Sequence, residues 1–240
     1  MSAQQGRLTV GVIGSGPVGV AMAQALAGAG HLLVGITATS AESLERVEAS
    51  LPGLDVLAAD EVIARAELLL VAIPDDELVA TIDGFAKAGL WRSGQIVAHT
   101  SARFGHEVFS PAANLGAIAM AIHPAMSFTG TSIDVSRLAE SFFGVSAPTV
   151  ALPIAQALVI EMGGEPVVIN TEQRGAYAEA FDVATNFSAM VVNQAIGLLE
   201  SAGIENARGV LAPSIRSAVE RALDSGHTPV SPDDFLREEE

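Results

Sequence analysis

The sequence has no cysteine, few basic residues and few aromatic residues. Without cysteine, a disulfide framework and a thiolate zinc site are excluded, which is consistent with a reducing, cytoplasmic location. With 12 basic against 28 acidic residues, the net charge of −16 argues against nucleic-acid binding, which depends on lysine and arginine at phosphates. No apolar run approaches the ~18 residues of a membrane span, and the first residues lack the basic and apolar regions of a signal peptide. We therefore expect a cytoplasmic protein that binds neither nucleic acid nor membrane.

A glycine-rich loop joins the first predicted strand to the first predicted helix. The strand RLTVGVI at 7–13 is followed by GSGPVG at 14–19 and then by a helix of small residues. This is G-x-G-x-x-G in the strand–loop–helix setting of a dinucleotide-binding Rossmann fold. Gly14 permits the tight turn, Gly16 lets a pyrophosphate approach the backbone, and Gly19 lets the helix lie close to the strand. Phosphates would meet the free N–H groups and positive dipole end of the helix. The predicted cofactor-binding residues of the loop are Gly14, Ser15, Gly16, Pro17, Val18 and Gly19; the alternative is a turn that binds nothing.

Strand and helix patterns alternate up to about residue 170. Half of the 240 residues are hydrophobic, enough for one large or two modest domains. The alternation is typical of a doubly wound α/β sheet, and most strands are apolar on both faces, as buried parallel strands are. We predict strands at 8–13, 32–37, 68–73, 95–99, 117–122, 142–146 and 166–169, and helices at 17–29, 41–50, 76–88 and 153–162.

The pattern changes after residue 170. Residues 172–201 contain no proline and little glycine, which predicts one long helix, with Thr171 as its cap. A second helical stretch near 206–224 contains Pro213, which should kink it or start a new helix. Because the long helix is apolar on most sides, we expect it to form a homodimer with a second subunit; the alternative is that it packs only on its own sheet. The predicted organisation is a Rossmann domain over 1–170 and a small, all-helical dimerisation domain over 171–240.

The end of the second predicted strand bears on the choice of nucleotide. NAD-binding folds usually carry an acidic residue there, on the ribose hydroxyls, but this strand ends in GITATS and no acid appears before Glu42. Thr39 and Ser40 could hydrogen-bond a 2′-phosphate, with Arg46 a few residues further on, although Ser40 is equally typical of a helix cap. We therefore predict NADP as the cofactor, with NAD as the alternative.

The third predicted strand ends in Ile73-Pro74-Asp75-Asp76. Ligands bind at the carboxyl ends of parallel strands, so Ile73 and Pro74 are predicted to line the cofactor. Asp75 or Asp76 is more typical of a cap for the next helix.

Two histidines end neighbouring strands and are candidates for chemistry. His99 is followed by Thr100 and Ser101, and His123 is followed by Pro124. Histidine titrates near neutrality and suits proton transfer beside a hydride acceptor. The predicted catalytic residues here are His123, Ser101 and His99; the alternative is that each histidine holds a loop through backbone hydrogen bonds. A metal site is not expected, since no carboxylate cluster accompanies the histidines.

The long helix adds two polar candidates. Asp182 and Asn186 are four residues apart and share one helix face. Polar residues on an otherwise buried helix must find partners, so we predict that both face a cleft between sheet and helix, where a small-molecule substrate would lie. The alternative is a solvated stripe or polar helix–helix contacts.

Together these features resemble the 6-phosphogluconate dehydrogenase-like superfamily. Its members join an N-terminal Rossmann domain to a helical domain that opens with a long helix and usually dimerises. The chain is most similar to little-characterised Rossmann-like oxidoreductases with a conserved helical C-terminal domain of unknown function; pyrroline-5-carboxylate reductases, β-hydroxyacid dehydrogenases and imine reductases are relatives. The matching segments are GVIGSGPVG (11–19), AIPDDEL (72–78), HTSARFG (99–105), AIHPAMSFTGT (121–131) and LPIAQALVIEMGGEPVVI (152–169).

The chain also departs from the pattern of these families. Ala102 stands where the family has glycine, and members usually carry histidines at the positions of Ala178, Val183 and Phe187. Asp182 stands where β-hydroxyacid dehydrogenases have lysine and imine reductases often have aspartate, so the resemblance suggests C=N reduction. Relatives continue with further helices after the point where this chain ends, which implies a truncated helical domain.

The predicted function is that of an NADP-dependent oxidoreductase that transfers a hydride to or from a small C=O or C=N substrate. The nicotinamide supplies the hydride chemistry, and the protein supplies orientation and a proton. The alternative is a non-catalytic NADP-binding sensor or regulatory protein, favoured by the missing helix histidines and the short C-terminal domain. A methyltransferase that binds S-adenosylmethionine at the glycine loop is a weaker third hypothesis, because such enzymes also usually have an acid after the second strand.

Overall fold

A computed structural model of the chain describes residues 7–226. The chain forms two compact units, Met1–Phe181 and Asp182–Glu240. The predicted domain boundary near residue 170 lies before this division, since the first unit includes the opening turns of the long helix. His227, which the sequence places in a loop, falls outside the described residues. Within the described range, no helix is both long and apolar enough to cross a membrane.

The first unit is built on a seven-stranded sheet. Its strands are β1 (Thr9–Ile13), β2 (Leu32–Ile36), β3 (Leu68–Val71), β4 (Ile96–His99), β5 (Ile118–Pro124), β6 (Phe142–Ser146) and β7 (Glu165–Val168). They lie in the order β2-β1-β3-β4-β5-β6-β7. All seven predicted strands are confirmed, with small differences at their ends. Strands β1, β3, β4 and β5 are buried along most of their length, as expected for apolar runs covered on both faces.

The direction of the chain reverses at one point in the sheet. Neighbouring strands from β2 to β5 are parallel, whereas β6 is antiparallel to β5, and β7 is parallel to β6. Ser146, at the end of β6, pairs with Ala121 in the middle of β5, and His123 pairs with Gly144. The last two strands therefore start at the carboxyl edge of β5 and run back toward the middle of the sheet.

Helices cover both faces of the sheet, as the doubly wound prediction requires. They are α1 (Pro17–Gly28), α2 (Ala41–Ser50), α3 (Ala59–Arg65), α4 (Asp75–Lys87), α5 (Ser110–Ala113), α6 (Ile133–Leu138), α7 (Leu152–Glu161) and α8 (Thr171–Asp182), with a 3₁₀ helix at His106–Phe109. One core cluster, with Met22, Leu26, Leu138 and Leu158, lies under α1, α6 and α7. The other, with Ile63, Leu78, Ile82 and Phe109, lies under α3, α4 and α5.

Two predicted helix caps are wrong. Helix α4 begins at Asp75 itself, its cap position is Pro74, and no side chain caps it. The aspartates instead lie in the first turn, where their negative charges interact favourably with the helix dipole. Thr171 is likewise the first residue of α8, and Asn170 forms the capping box with Gln173.

The second unit contains the rest of the long helix and one more helix. Helical residues run from Thr171 to Ser201 as predicted, but a π-helical segment, Val183–Phe187, precedes α9 (Ser188–Ser201). Helix α10 (Ala207–Ser225) follows, and Pro213 lies inside it rather than starting a new helix. No residue of α9 is buried.

Candidate functional site

A cavity of about 450 Å³ opens beside the glycine loop and is called the cofactor cavity below. Its walls come from the ends of β1, β2 and β3 and from the start of α2. Since β2 and β3 flank β1 in the sheet, the cavity lies where the strand order reverses, the usual position of a nucleotide in an open α/β sheet. The lining residues are Ile13, Gly14, Ser15, Gly16, Thr37, Ala38, Thr39, Ser40, Ser43, Arg46, Ala72, Ile73, Pro74, Glu77 and Thr81.

The three glycines of the loop have different surroundings. Gly14 has a φ of +99°, and a Cβ there would overlap the carbonyl oxygen of Ala72. A Cβ on Gly19 would overlap the carbonyl oxygen of Gly14, so this glycine allows close packing of α1. A Cβ on Gly16 would meet nothing within 4 Å. Gly14 and Gly19 are thus required by the fold, whereas the space at Gly16 is open to a ligand.

The loop therefore fits the diphosphate of a dinucleotide. Gly16 is the cap residue of α1, a helix of 12 residues, and no side chain occupies the cap hydrogen bonds. The N–H groups at this end and the helix dipole favour an anion. Seven of the ten predicted cofactor-binding residues line the cavity: Gly14, Ser15, Gly16, Thr39, Ser40, Ile73 and Pro74. Pro17, Val18 and Gly19 lie in the first turn of α1 and are not among its lining residues.

Side chains after β2 shape the cavity in ways that the sequence does not reveal. The hydroxyl of Thr37 accepts the N–H of Gly14 at 2.8 Å, which fixes the loop from within. Arg46 donates to the carbonyl oxygen of Ser15 at 3.0 Å and pairs with Glu42 at 2.6 Å. Ser40 caps α2 through a capping box with Ser43 and lines the cavity as well.

The loop before α6 lies against the glycine loop. A Cβ on Gly130 would be 3.6 Å from the Pro17 ring and 4.0 Å from Arg46 Nε. The buried carboxylate of Asp134 accepts the N–H groups of Thr129 and Gly130 at 2.8–3.0 Å. Burial alone would raise the pKa of Asp134, but these hydrogen bonds hold it below its ordinary value. The buried carboxylate of Asp134 therefore fixes the backbone at Thr129 and Gly130.

His99 is fully buried at the end of β4, and both of its ring nitrogens are bonded to backbone. Nε2 lies 3.0 Å from the carbonyl oxygen of Gly105, and Nδ1 accepts the N–H of Ser101 at 3.2 Å. Burial lowers the pKa of His99 to about 4, so the ring is neutral at pH 7. The hydroxyl of Ser101 accepts the N–H groups of Arg103 and Phe104. In this arrangement both residues hold the loop 100–105.

Arg174 ties α8 to the same loop. Its guanidinium donates to the carbonyl oxygens of Ala102 at 3.3 Å and Ile169 at 3.4 Å, and the residue is 5% exposed. Next to it, Thr171 donates to Glu107 at 2.7 Å, and His106 lies 2.7 Å from the Ser146 hydroxyl. The loop after β4 is therefore fixed from β6 and α8 as well as from within.

His123 is half-buried at the carboxyl end of β5 and belongs to an aromatic cluster with Tyr177 and Phe181 of α8. Its Nδ1 lies 2.8 Å from the Tyr177 hydroxyl oxygen. The ring centroids of His123 are 5.5 Å from Tyr177 and 5.1 Å from Phe181, both in edge-to-face geometry. Burial, and after it the charge of Arg174, lowers the pKa of His123 to about 4. The imidazole is therefore neutral at pH 7.

Asp182 and Asn186 belong to the second unit. The Asn186 amide donates to Asp182 at 3.2 Å, as their predicted shared face allows. Asn186 is exposed and lies in the π-helical segment, a feature often found at functional sites. Their predicted place beside a substrate stays a prediction.

Residues 1–124, just over half of the chain, match the model of the Rossmann-like domain. The chain belongs to the Rossmann-like domain family. Residues 141–231 match a second model, the domain of unknown function DUF2520. No curated protein matches the sequence.

Several solved structures are similar to this Rossmann-like chain. A Bacteroides fragilis protein described as a candidate NADP oxidoreductase has a TM-score of 0.73 at 18% identity, over 90% of this chain and 80% of that one. A Streptomyces aurantiacus imine reductase gives 0.65 at 19%, over 88% and 73%. The 1-pyrroline-5-carboxylate reductase of Streptococcus pyogenes gives 0.64 at 14%, over 96% and 84%. At these identities the likeness establishes the fold.

Around His123, three residues of the first unit contribute to the site without having been predicted from the sequence: Tyr177, Arg174 and Gly144. Tyr177 was overlooked because it belongs to an apolar side of the long helix. Two signals were available. Tyr177 is the only tyrosine in the sequence, and Gly144 interrupts an apolar strand, which often marks a close approach of another group.

Proposed function

We propose that this protein is an oxidoreductase that binds NADP(H) at the cofactor cavity and transfers a hydride to or from a small C=O or C=N substrate. The observation that carries the proposal is the open space at Gly16, beside the start of α1 and at the point where the strand order reverses. Similar folds described as an NADP oxidoreductase, an imine reductase and a 1-pyrroline-5-carboxylate reductase support the same class of reaction. When bound, the nicotinamide would supply the hydride.

The preference for NADP over NAD is part of the proposal. No acidic residue lies among the four cavity residues from Thr37 to Ser40, so none of these side chains repels a 2′-phosphate. Arg46 lines the same wall and carries a positive charge. Its guanidinium, with Thr39 and Ser40, could hold the phosphate through charge-assisted hydrogen bonds.

The substrate is proposed to bind where β4 and β5 end. From β1 to β5 there are three steps between neighbouring strands, roughly 14 Å at ~4.8 Å per step, a distance over which an extended dinucleotide can lie. His123 is half-buried there and accessible to a small molecule, whereas His99 and Ser101 would position the loop 100–105 beneath it. Asp182 and Asn186 remain proposed substrate contacts.

We also propose a homodimer formed through the long helix 172–201. Four apolar side chains of its second part, Phe187, Met190, Val191 and Leu198, are each more than half exposed. Burying such side chains against a second copy would be favourable. Analytical ultracentrifugation should show a dimer for the native protein and a monomer for Val191→Glu, while Val150→Glu, at an exposed valine elsewhere, should stay dimeric. A monomeric native protein would contradict this proposal.

The cofactor proposal is tested by isothermal titration calorimetry with NADPH and NADH. We expect the native protein to bind NADPH more tightly, and Gly16→Ala to lose at least tenfold in affinity because its methyl group takes the space of the diphosphate. Gly28→Ala is the matched control, since a Cβ on this other α1 glycine also meets nothing within 4 Å. No heat with either coenzyme would overturn the proposal. Binding without NADPH consumption across ketones, ketoacids and cyclic imines would favour a sensor or regulatory protein.

A further inference from the structure

The Tyr177 hydroxyl reaches His123 from α8. The bond between the Tyr177 hydroxyl and His123 Nδ1 is 2.8 Å long, and the two rings meet at 89°. Both residues are partly exposed to solvent. Among the described residues, none forms a hydrogen bond with His123 Nε2.

Gly144 gives Tyr177 its place. A Cβ on Gly144 would be 2.5 Å from the hydroxyl oxygen and 2.7 Å from Cζ of Tyr177, so any other residue would push the ring away. On the other side, the Phe181 ring lies with its centroid 4.8 Å from that of Tyr177. The hydroxyl is therefore held by groups from β5, β6 and α8, as a reacting group that must keep its geometry requires.

Burial and the charge of Arg174 act on the ionisation of Tyr177 in opposite directions. The Arg174 guanidinium carbon lies 5.7 Å from the Tyr177 ring centroid. Burial raises the pKa of Tyr177, and Arg174 opposes this by stabilising the ionised form. The other titratable groups that act on this cation or on the histidines are Glu107 and His106 of the 3₁₀ helix and His99 of β4. His123 itself is neutral at pH 7 and so is a poor source of a proton, whereas the phenol still carries one.

We propose that Tyr177 is the catalytic residue that donates the proton to the substrate, and that His123 positions it. The inference rests on the proposed function. In the reducing direction the substrate carbon receives a hydride, and its oxygen or nitrogen takes the proton from the Tyr177 hydroxyl. The phenolate then takes a proton from water, and the hydroxide formed leaves to solvent, while the neutral imidazole of His123 holds the Tyr177 oxygen in place. Arg174 stabilises the phenolate. The net uptake is one hydride and one solvent proton.

The first test compares Tyr177→Phe with the native protein. Loss of the hydroxyl should lower kcat by about 10²–10⁴-fold, the usual contribution of a general acid, without changing the dissociation constant of NADPH. The control is Phe142→Leu, which removes an exposed aromatic ring from the same strand as Gly144 and should leave kcat unchanged. A merely structural tyrosine would affect thermal stability instead of kcat.

The second test begins with a measurement that needs neither cofactor nor substrate. Because Tyr177 is the only tyrosine of the chain, the tyrosinate absorption at alkaline pH reports its ionisation alone. The midpoint should lie above that of free tyrosine, move higher in Arg174→Met and return toward the native value in Arg174→Lys. The alkaline limb of the kcat profile should move with it. A midpoint that does not respond to the Arg174 variants would overturn the electrostatic part of the proposal.

The outcomes separate this proposal from the function on which it rests. If the native protein binds NADPH and reduces a substrate while Tyr177→Phe keeps kcat within about threefold, too small for loss of a general acid, Tyr177 is not the proton donor and the function stands. If the native protein binds no coenzyme, or binds it and reduces nothing, the oxidoreductase function fails and the role of Tyr177 fails with it.

Discussion

The cofactor cavity and the aromatic cluster lie along the same edge of the sheet, but they are built from different parts of the chain. The side of the cavity that fits a diphosphate is main chain from the short stretch Gly14–Gly16, and residues at the ends of β2 and β3 and in α2 and α4 form the other walls. The aromatic cluster is made of side chains that are far apart in sequence and meet only after the sheet has formed. The difference shows that main-chain sites are specified locally, whereas side-chain sites depend on the whole unit.

The largest difference between the two regions should appear in glycine substitutions at the cavity. Gly14→Ala forces a residue with a side chain into a φ of +99° and against the Ala72 carbonyl. Backbone strain and overpacking together should lower the free energy of unfolding by roughly 2–6 kcal/mol, measured by urea denaturation. Gly16→Ala should leave that free energy nearly unchanged. Equal destabilisation by both substitutions would show that Gly16 also serves the fold.

The response to acid should come from the side-chain region. The pKa values of His99 and His123 are about 4 in the folded protein, below the ~6.5 of the unfolded chain. As the pH falls from 6.5 to 4, the unfolded chain binds these protons first. The free energy of unfolding is therefore highest above pH 6.5 and falls between pH 6.5 and pH 4, by on the order of 3 kcal/mol for each histidine.

The acid response can be assigned by a variant. Denaturation curves of the native protein and His123→Asn should differ less at pH 4 than at pH 7, because the variant lacks one of the two groups. A constant difference between them at all pH values would show that His123 does not titrate in this range.

The close packing of Tyr177 against Gly144 can be tested by a double-mutant cycle. Gly144→Ala should cost roughly 1–3 kcal/mol in the native background because its methyl group displaces the tyrosine ring. The same substitution should cost little in Tyr177→Leu, which leaves room for it. Gly175→Ala on α8 is the control, since a Cβ there meets nothing within 4 Å. Additive effects of the two substitutions would show that the close approach of Tyr177 and Gly144 has no energetic weight.

The smallest expected effect concerns the choice of coenzyme. Arg46→Met should weaken NADPH binding roughly tenfold, the value of one charge-assisted hydrogen bond, and leave NADH binding nearly unchanged. Arg65→Met, at an arginine whose ion pairs with Asp55 and Glu61 are exposed, should change neither. Calorimetry with both coenzymes measures this, and an equal loss for NADPH and NADH would place Arg46 at the diphosphate instead.

Much of the fold could be predicted from the sequence because its signals are local. Apolar runs gave the strands, and the glycine loop gave the first turn of α1. The reversal of β6 could not be read from its sequence FFGVS, since an apolar strand looks the same in either direction. The cap at Asn170 was missed because Thr171 beside it has an equally suitable side chain. The start of α4 was missed because the backbone places Pro74, which has no capping side chain, at the cap position ahead of the aspartates.

The candidate site divides in the same way. The sequence predicted the glycine loop and the residues Ile73, Pro74, Thr39 and Ser40 that line the cavity with it. It also predicted that His123 would lie at the carboxyl end of a strand. It could not distinguish His123 from His99, because what separates them is burial: His99 has both nitrogens bonded to backbone, and His123 has one bonded to a phenol.

The spacing between Asn170 and Tyr177 decides where the phenol lies. Helix α8 follows β7 and advances about 9 Å from Thr171 to Tyr177 at 1.5 Å per residue. One residue inserted between these two positions would turn the phenol by about 100° around the helix axis, away from His123. The number of residues from Asn170 to Tyr177 is therefore fixed by the contact between Tyr177 and His123.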